Sequence, residues 1–339
     1  MMKTGKLNRR HFLGAAATGA AYLALPKTGF AAGDEFQFIT PFSLSLAFGS
    51  VLYAEAAGYY ADEGLTFSIQ SAKGAAMAAQ MVIAKQMDSG RTGGTNYIVS
   101  KDNNGAPLIS IATIAQLSPF YIISAKSNPV NSVADLKGRT VGMASLGGSM
   151  EGTLDLLLSG AGLASDSVEK VKVADSAASF ALIEAGRAGA FIGNTSSMIK
   201  AKAASDDVHA IPMDDGMPGQ VYVAHEDAIK ENPEKFVKFL RATHKSALEI
   251  ATASDLEPIL KAIGSKHDVR GLNDMETAKQ DLRANSENWV SKSEANLLRN
   301  IPEVWERAVS LLTEAKMIDT TPDPKSLYTN DLLDKALQK

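Results

Sequence analysis

The chain has 339 residues, of which 45% are hydrophobic and 21% charged, and its formal net charge is −4. It contains no cysteine, so a disulfide framework and a thiolate metal site are excluded, and we expect no lipid-modified cysteine. The acidic balance argues against nucleic acid or an anionic membrane surface as a partner. A chain of this length is sufficient for two α/β lobes with separate cores.

The N-terminus has the pattern of an export signal. Basic residues precede the short apolar run FLGAAATGAAYLALP, and small residues follow it. The segment NRRHFLG resembles a twin-arginine signal, with Asn8 where Ser or Thr is usual and Gly14 where Lys is common. We therefore predict a signal peptide over residues 1–31, cleavage near Ala31 and a periplasmic location. Its removal would leave 29 basic and 38 acidic residues, a net charge of −9.

Residues 35–125 alternate between predicted strands and helices. The segments EFQFIT, LTFSIQS and LISIATIAQ have strand patterns, RTGG is the end of a further short strand, and helical segments lie between them. Such alternation indicates βαβ units and a mostly parallel sheet. SPFYIISA, from Ser118 to Ala125, follows the preceding strand with no helix between them. We predict the first crossing between two lobes at this break.

The pattern then restarts and ends in a helical C-terminal region. Strands are predicted near residues 139–144, 168–173, 190–193 and 209–213, and the segment DDGMPG leads to a strand at Gln220. We expect an α/β fold with two lobes, each a mostly parallel sheet flanked by helices. The first lobe would comprise residues 32–118 and 221–339, and the inserted second lobe residues 119–220.

The C-terminal region shows clear helix signals. Asn232, Pro233 and Glu234 form an N-cap, a first-turn proline and a first-turn acid. Trp289 and Trp305 are interpreted as packing anchors and not as ligand contacts.

The segment from Gly138 to Gly162 combines a short strand, a Ser/Gly loop and a helix for which Ser149 is the predicted N-cap. Free backbone N–H groups at such a helix start favour an anionic or strongly polar ligand. The segment lacks a P-loop lysine and the dinucleotide spacing G-x-G-x-x-G, so an ordinary strand–helix turn is the alternative. The Glu151 carboxylate in the first turn would offset part of the positive end of the helix dipole, so the charge of the ligand stays undecided.

Four segments carry a resemblance to a known family. They are AEAAGYYADEGLTFSIQ (Ala54 to Gln70), VADLKGRTVGMASLGGS (Val133 to Ser149), EAGRAGAFIGN (Glu184 to Asn194) and NPEKFVKFLRATHKSALE (Asn232 to Glu249). The chain resembles the periplasmic substrate-binding proteins of ABC importers, in the branch that binds nitrate, sulfonates, taurine and thiamine precursors. The resemblance implies a monomeric type II binding protein without a cofactor. It would close on a small solute and deliver it to an inner-membrane permease with a cytoplasmic ATPase.

The candidate site follows from the rule that ligands of open α/β sheets bind beyond the carboxyl ends of the strands. Loops at such ends pair glycine with small hydroxyl or amide side chains, and three aromatic residues supply an apolar wall. The candidate ligand-binding residues are Phe42, Ser43, Ser45, Lys73, Gly94, Thr95, Asn96, Ser118, Phe120, Ser145, Gly148, Ser149, Asn194, Thr195 and Tyr222. Phe42 and Phe120 fit a core position equally well.

The class of solute stays open at this stage. Lys73 and the nearby Arg91 are the cations of the candidate loops, and a solvated surface position is the alternative for Lys73. An inward-pointing Lys73 would favour an anion, and an exposed Lys73 with Glu151 at the helix start would favour a neutral or heteroaromatic solute. Sulfonate, nitrate, pyrimidine, flavin-like and aromatic-acid solutes all fit the pattern.

Two other functional classes compete with transport. An exported hydrolase would need a nucleophile with a base, or a metal cluster. The five histidines have no paired-ligand spacing, and no G-x-S-x-G elbow is present. A ligand-sensing partner of a membrane receptor would use the same cleft. We therefore expect no catalytic residues and no metal site.

Overall fold

Two five-stranded sheets form the framework of the protein. The computed structural model describes residues 34–144, 146–174 and 176–338, so the predicted signal peptide and the candidate residue Ser145 lie outside the described residues. In the first sheet the strand order is β2-β1-β3-β10-β4, and in the second it is β7-β6-β8-β5-β9. The first sheet contains β1 (Asp34–Thr40), β2 (Leu65–Ser71), β3 (Ser89–Gly93), β4 (Leu108–Ala115) and β10 (Gln220–His225). The second sheet contains β5 (Phe120–Ala125), β6 (Thr140–Met143), β7 (Glu169–Lys172), β8 (Ala190–Asn194) and β9 (Val208–Pro212).

One strand in each sheet runs against the other four. Strand β1 is parallel to β2 and β3, whereas β10 is antiparallel to both of its neighbours. In the second sheet β6 is parallel to β7 and β8, and β5 is antiparallel to β8 and β9. The reversed strands are those at which the chain enters the second sheet and returns to the first. The prediction of two mostly parallel sheets in a two-lobed α/β fold is confirmed, while the lobe boundaries stay a prediction.

Helices cover both faces of each sheet. Among the described residues the helices are α1 (Gly49–Ala56), α2 (Tyr59–Asp62), α3 (Ala75–Ile83), α4 (Gly94–Asn104), α5 (Ser149–Gly160), α6 (Phe180–Glu184), α7 (Thr195–Ala204), α8 (Glu226–Glu231), α9 (Pro233–Thr252), α10 (Glu257–Lys266), α11 (Met275–Trp289), α12 (Pro302–Glu314) and α13 (Asp331–Leu337). None of them is both long enough and apolar enough to cross a membrane. The Asn232 side chain accepts a hydrogen bond from Lys235 N at 3.3 Å, which confirms the predicted cap of α9.

An aromatic cluster joins α9 to the first sheet. The ring of Phe239 stacks on Phe36 with centroids 4.3 Å apart and lies 5.7 Å from Phe38 and from Tyr60. Large buried rings contribute most to burial of apolar area, and stacked pairs add to it. Trp289 and Trp305 are also fully buried, as the sequence predicts.

We expect Phe239→Ala to lower the free energy of unfolding by about 3–5 kcal/mol, because it leaves a cavity beneath the first sheet. Phe42→Ala is the matched control, since Phe42 lies in the loop after β1 and is only half-buried. Urea denaturation followed by circular dichroism measures both variants. Equal losses of stability would contradict this assignment of core and loop.

Candidate functional site

The carboxyl ends of strands from both sheets meet around one small cavity, which we call the interlobe cavity. Its wall comes from the loop after β1, the end of β3, the start of β10, the entry to β5 and the starts of α5 and α7. The lining residues are Pro41, Phe42, Ala47, Phe48, Arg91, Pro119, Phe120, Ser149, Asn194 and Gln220. Its volume is about 20 Å³, enough for roughly one water molecule. Both sheets therefore contribute to one enclosed polar and aromatic site.

Four of the predicted site residues line this cavity: Phe42, Phe120, Ser149 and Asn194. The other described candidates lie outside its lining. Ser43 and Lys73 are exposed, and Ser45, Asn96 and Ser118 are half-buried. Gly94, Thr95, Gly148 and Thr195 are buried outside it.

The sequence predicts a ligand contact for Tyr222, and the structure places its side chain in the core, outside the cavity lining. It is opposite Arg91 in the pairing of β10 with β3, so the two side chains share one face of the sheet. The Tyr222 ring lies edge-on to Phe38 at 5.1 Å, and its hydroxyl is 3.0 Å from Ser50 Oγ. Its side chain is fully buried and outside the cavity lining.

Ser149 joins the second sheet to the first. The predicted N-cap role was wrong: Gly148 is the N-cap of α5, and Ser149 is its first helical residue. Ser149 Oγ accepts a hydrogen bond from Gly93 N at 2.8 Å. A Cβ atom on Gly93 would lie only 2.5 Å from Ser149 Cβ, so the contact requires glycine at the end of β3.

Two further predicted residues pack the surroundings of the cavity. Thr95 Cγ2 would be 3.4 Å from a Cβ placed on Gly152 of α5, so Thr95 faces that helix. Thr195 Oγ1 donates a hydrogen bond to Pro119 O at 3.3 Å. The two threonines therefore fix helix starts against neighbouring segments and do not face the cavity.

Glu151 does not place an uncompensated negative charge at the cavity. Its carboxylate forms an ion pair with Lys170 at 3.0 Å and accepts a hydrogen bond from Gly147 N. Lys170 also pairs with Asp155 at 2.5 Å. Lys73 is exposed, and neither Lys73 nor Glu151 lines the cavity. Arg91 is therefore the charged side chain of the described lining.

Arg91 extends from β3 into the wall of the interlobe cavity and is only 3% exposed. Its Nε donates to Gln220 Oε1 at 3.4 Å, its Nη1 donates to Ala47 O, and its guanidinium lies 5.0 Å from the Phe48 ring centroid. No carboxylate of the described residues forms an ion pair with it. Burial lowers the pKa of Arg91 to about 10, so the side chain stays charged at neutral pH. The sequence offered one signal for this role, a cation at the predicted end of a strand.

A second polar contact joins α7 to α11. Ser196 Oγ donates to Asp281 Oδ1 at 2.6 Å, and Lys200 Nζ lies 3.6 Å from Asp281 Oδ2. Asn285 Nδ2 donates to the same carboxylate at 2.9 Å. Burial raises the pKa of Asp281 above its usual range. Local sequence patterns do not predict this cluster, because its members come from segments 85 residues apart.

A larger groove of about 840 Å³ lies along α12 and the C-terminal half of α5. The N-terminus of α5 is at the interlobe cavity, so the groove lies roughly 15 Å away along that helix. Asp215, in the segment between β9 and β10, lines the groove and accepts a hydrogen bond from Met217 N at 3.1 Å. Burial raises the pKa of Asp215 to about 6. The groove is larger than the interlobe cavity, and its lining includes Leu117, just after β4, and Asp214 and Asp215, just after β9.

Within the part of the chain that the structure describes, no group of three or more histidine, aspartate or glutamate side chains could hold a metal ion. The lining of the interlobe cavity includes one hydroxyl, that of Ser149, and no histidine or carboxylate. The arrangement is suited to holding a polar group with neutral donors and one cation.

Comparison with known proteins places the chain in a family. A family model described as NMT1/THI5 like matches residues 46–254, more than half of the chain. The chain belongs to the NMT1/THI5-like family. A search of curated protein sequences found no match.

Solved structures share the fold at low sequence identity. The alkanesulfonate-binding protein SsuA from Xanthomonas axonopodis pv. citri, bound to MOPS, has a TM-score of 0.67 at 12% identity, covering 88% of this chain and 99% of that one. The periplasmic nitrate-binding protein NrtA from Synechocystis PCC 6803 has a TM-score of 0.65 at 14% identity, covering 91% and 88%. The desulfurization enzyme DSZB has a TM-score of 0.58 at 12% identity, covering 90% and 99%. This NMT1/THI5-like chain thus has the two-lobed fold of periplasmic binding proteins, a fold that also occurs in an enzyme.

We expect Ser149→Ala to weaken binding of whichever small molecule co-purifies with the protein by about 0.5–1.5 kcal/mol, because closure then leaves Gly93 N without its acceptor. Ser159→Ala is the matched control, since Ser159 is an exposed residue of the same helix. Titration calorimetry on the stripped protein measures both variants. Unchanged affinity in Ser149→Ala would show that the contact does not contribute to closure.

Asp215 predicts a pH dependence of stability. The folded-state pKa of Asp215, about 6, exceeds the unfolded value of about 3.9. The stability that the protonated carboxyl contributes to the folded state is therefore complete below pH 4 and is lost as the pH rises through 6. The free energy of unfolding should fall by up to about 3 kcal/mol over this range. Asp215→Asn should remove this dependence and be more stable than the parent at pH 7, whereas the exposed neighbour Asp214→Asn should keep it. Urea denaturation between pH 4 and pH 7 tests both variants, and identical profiles for them would contradict the prediction.

Proposed function

We propose that this NMT1/THI5-like protein is the solute-binding component of an ABC importer, exported to the periplasm, which captures a small organic solute between its two lobes. One observation carries the proposal: loops from both sheets, together with the buried cation Arg91, converge on the interlobe cavity at the carboxyl ends of their strands. Ligands of open α/β sheets bind at this position. The lobes would comprise residues 32–118 with 221–339, and 119–220, as the sequence predicts.

The small size of the interlobe cavity implies a hinge motion. A volume of about 20 Å³ cannot admit an organic molecule, so the lobes must separate before a solute enters. The contacts that hold them together include two polar ones, Gly93 N with Ser149 Oγ and Ser196 with Asp281, and the apolar packing of Leu156 against the first lobe. A solute that bridges both lobes would shift the equilibrium towards the closed form. A permease in the inner membrane, with its cytoplasmic ATPase, would then receive the solute from a monomeric binding protein.

The fold is shared with a desulfurization enzyme, so catalysis is the competing function. Binding is favoured by the chemistry of the described lining, in which Ser149 Oγ accepts a hydrogen bond and has no histidine or carboxylate beside it as a base. The chain also has no cysteine to act as a nucleophile. Positioning residues without an acid–base pair suit reversible binding.

Mass spectrometry of the intact protein, purified without denaturation, tests the proposed function. We expect a small molecule bound at one per chain, released unchanged on unfolding and restored when the stripped protein is incubated with it. Small-angle X-ray scattering should show a smaller radius of gyration when it rebinds. Conversion of that molecule to a product would support an enzyme, and the absence of any bound molecule or closure would contradict solute capture. If the protein serves a membrane receptor, the loaded protein should bind that sensor. If it serves transport, the loaded protein should stimulate the ATPase activity of the permease.

A further inference from the structure

We propose that Arg91 anchors an oxyanion group of the solute, so that the protein selects a small organic carboxylate or sulfonate over its neutral isostere. This inference rests on the proposed function, because it assigns the chemical class of the solute that the interlobe cavity holds. It is carried by a buried cation that has no anionic partner in the described residues.

The burial of Arg91 requires compensation. Removing a guanidinium from water is unfavourable unless an anion or a full set of acceptors replaces the water. Arg91 is 3% exposed, and its polar partners are two neutral oxygens, Gln220 Oε1 and Ala47 O. A guanidinium carries five N–H donors, so three of them make no hydrogen bond to the described residues. The rigid fork of an arginine is suited to two parallel bonds with one oxyanion.

Two acidic side chains that contact the helices of the cavity wall are compensated elsewhere. Glu151 pairs with Lys170, and Asp281 pairs with Lys200 and accepts from Ser196. None of them lines the cavity. No carboxylate of the described residues therefore compensates the charge of Arg91, and a bound anion would do so.

Two helix starts, those of α5 and α7, add positive potential at the cavity, and a third, that of α4, lies next to it through the contact of Gly93 with Ser149. Helix α4 begins at Gly94, directly after Gly93, α5 begins at Ser149 and α7 begins at Thr195, directly after Asn194. The first turns of α4 and α7 contain no acidic residue. Helix N-termini favour anions by a few tenths of a kcal/mol to about 1 kcal/mol each. Their convergence reinforces the preference that Arg91 sets.

The rest of the wall indicates an organic anion. Phe42, Phe48 and Phe120 line the cavity together with Pro41 and Pro119. Aromatic and proline surfaces pack well against a hydrocarbon or ring portion. A solute with one oxyanion and one apolar part would therefore match both the charge and the surface of the cavity.

The test compares the binding of charged and neutral isosteres to the mature protein after the co-purified solute has been removed. The probes are benzoate with benzamide, and methanesulfonate with methanesulfonamide, followed by thermal shift and calorimetry. We expect at least one anion to bind at least tenfold more tightly than its neutral counterpart, and Arg91→Met to remove that preference. Arg187→Met, at an exposed arginine outside the cavity, is the matched control and should retain it.

The stability of the ligand-free variant separates binding from a structural role. Because Arg91→Met replaces an uncompensated buried charge with an apolar chain, the ligand-free protein should unfold at the same temperature or higher. A large drop in unfolding temperature would identify Arg91 as a structural residue and overturn the proposal.

Other outcomes distinguish this proposal from the proposed function. A neutral or cationic co-purified solute, equal binding of both members of each pair, or affinity within twofold in Arg91→Met would overturn the role of Arg91 alone. The absence of any co-purified molecule and of any response to the four probes would contradict solute capture itself, and the anchor with it.

Discussion

The hydrogen bond from Gly93 N to Ser149 Oγ is the contact on which the site depends. It joins the last residue of a first-sheet strand to the first residue of a helix that follows a second-sheet strand. Its length of 2.8 Å is possible only because Gly93 lacks a Cβ. Ser149 lines the cavity together with Arg91 and the aromatic residues, so the glycine at this position allows the two sheets to approach each other there.

The charges around that cavity support the proposed binding role over catalysis. Ion pairs such as Glu151 with Lys170 remove negative charge from the neighbourhood, and Arg91 is left with neutral acceptors. A catalytic site needs a proton acceptor next to its nucleophile. The described lining offers a cation, amides and one hydroxyl already used as an acceptor, which is consistent with the proposed recognition of a solute.

Sequence periodicity predicted the fold more completely than the site. Strands such as Leu65–Ser71 and the cap at Asn232 were predictable because their signals are local. The roles of Ser149 and Tyr222 were not, since they depend on pairing between segments far apart in sequence. The sequence shows Arg91 only as a cation near the candidate loops, because its burial depends on the pairing of β3 with β10, more than 120 residues later in the chain.

The distance between the lobes with and without solute tests the central claim most directly. The chain has no native cysteine, so spin labels can be attached at Met77→Cys and Leu146→Cys, which are 47% and 52% exposed on either side of the cleft. Pulsed electron paramagnetic resonance should show a longer distance in stripped protein and a shorter one when the co-purified solute is restored. A single distance distribution, unchanged by solute, would contradict closure of the two lobes around the interlobe cavity.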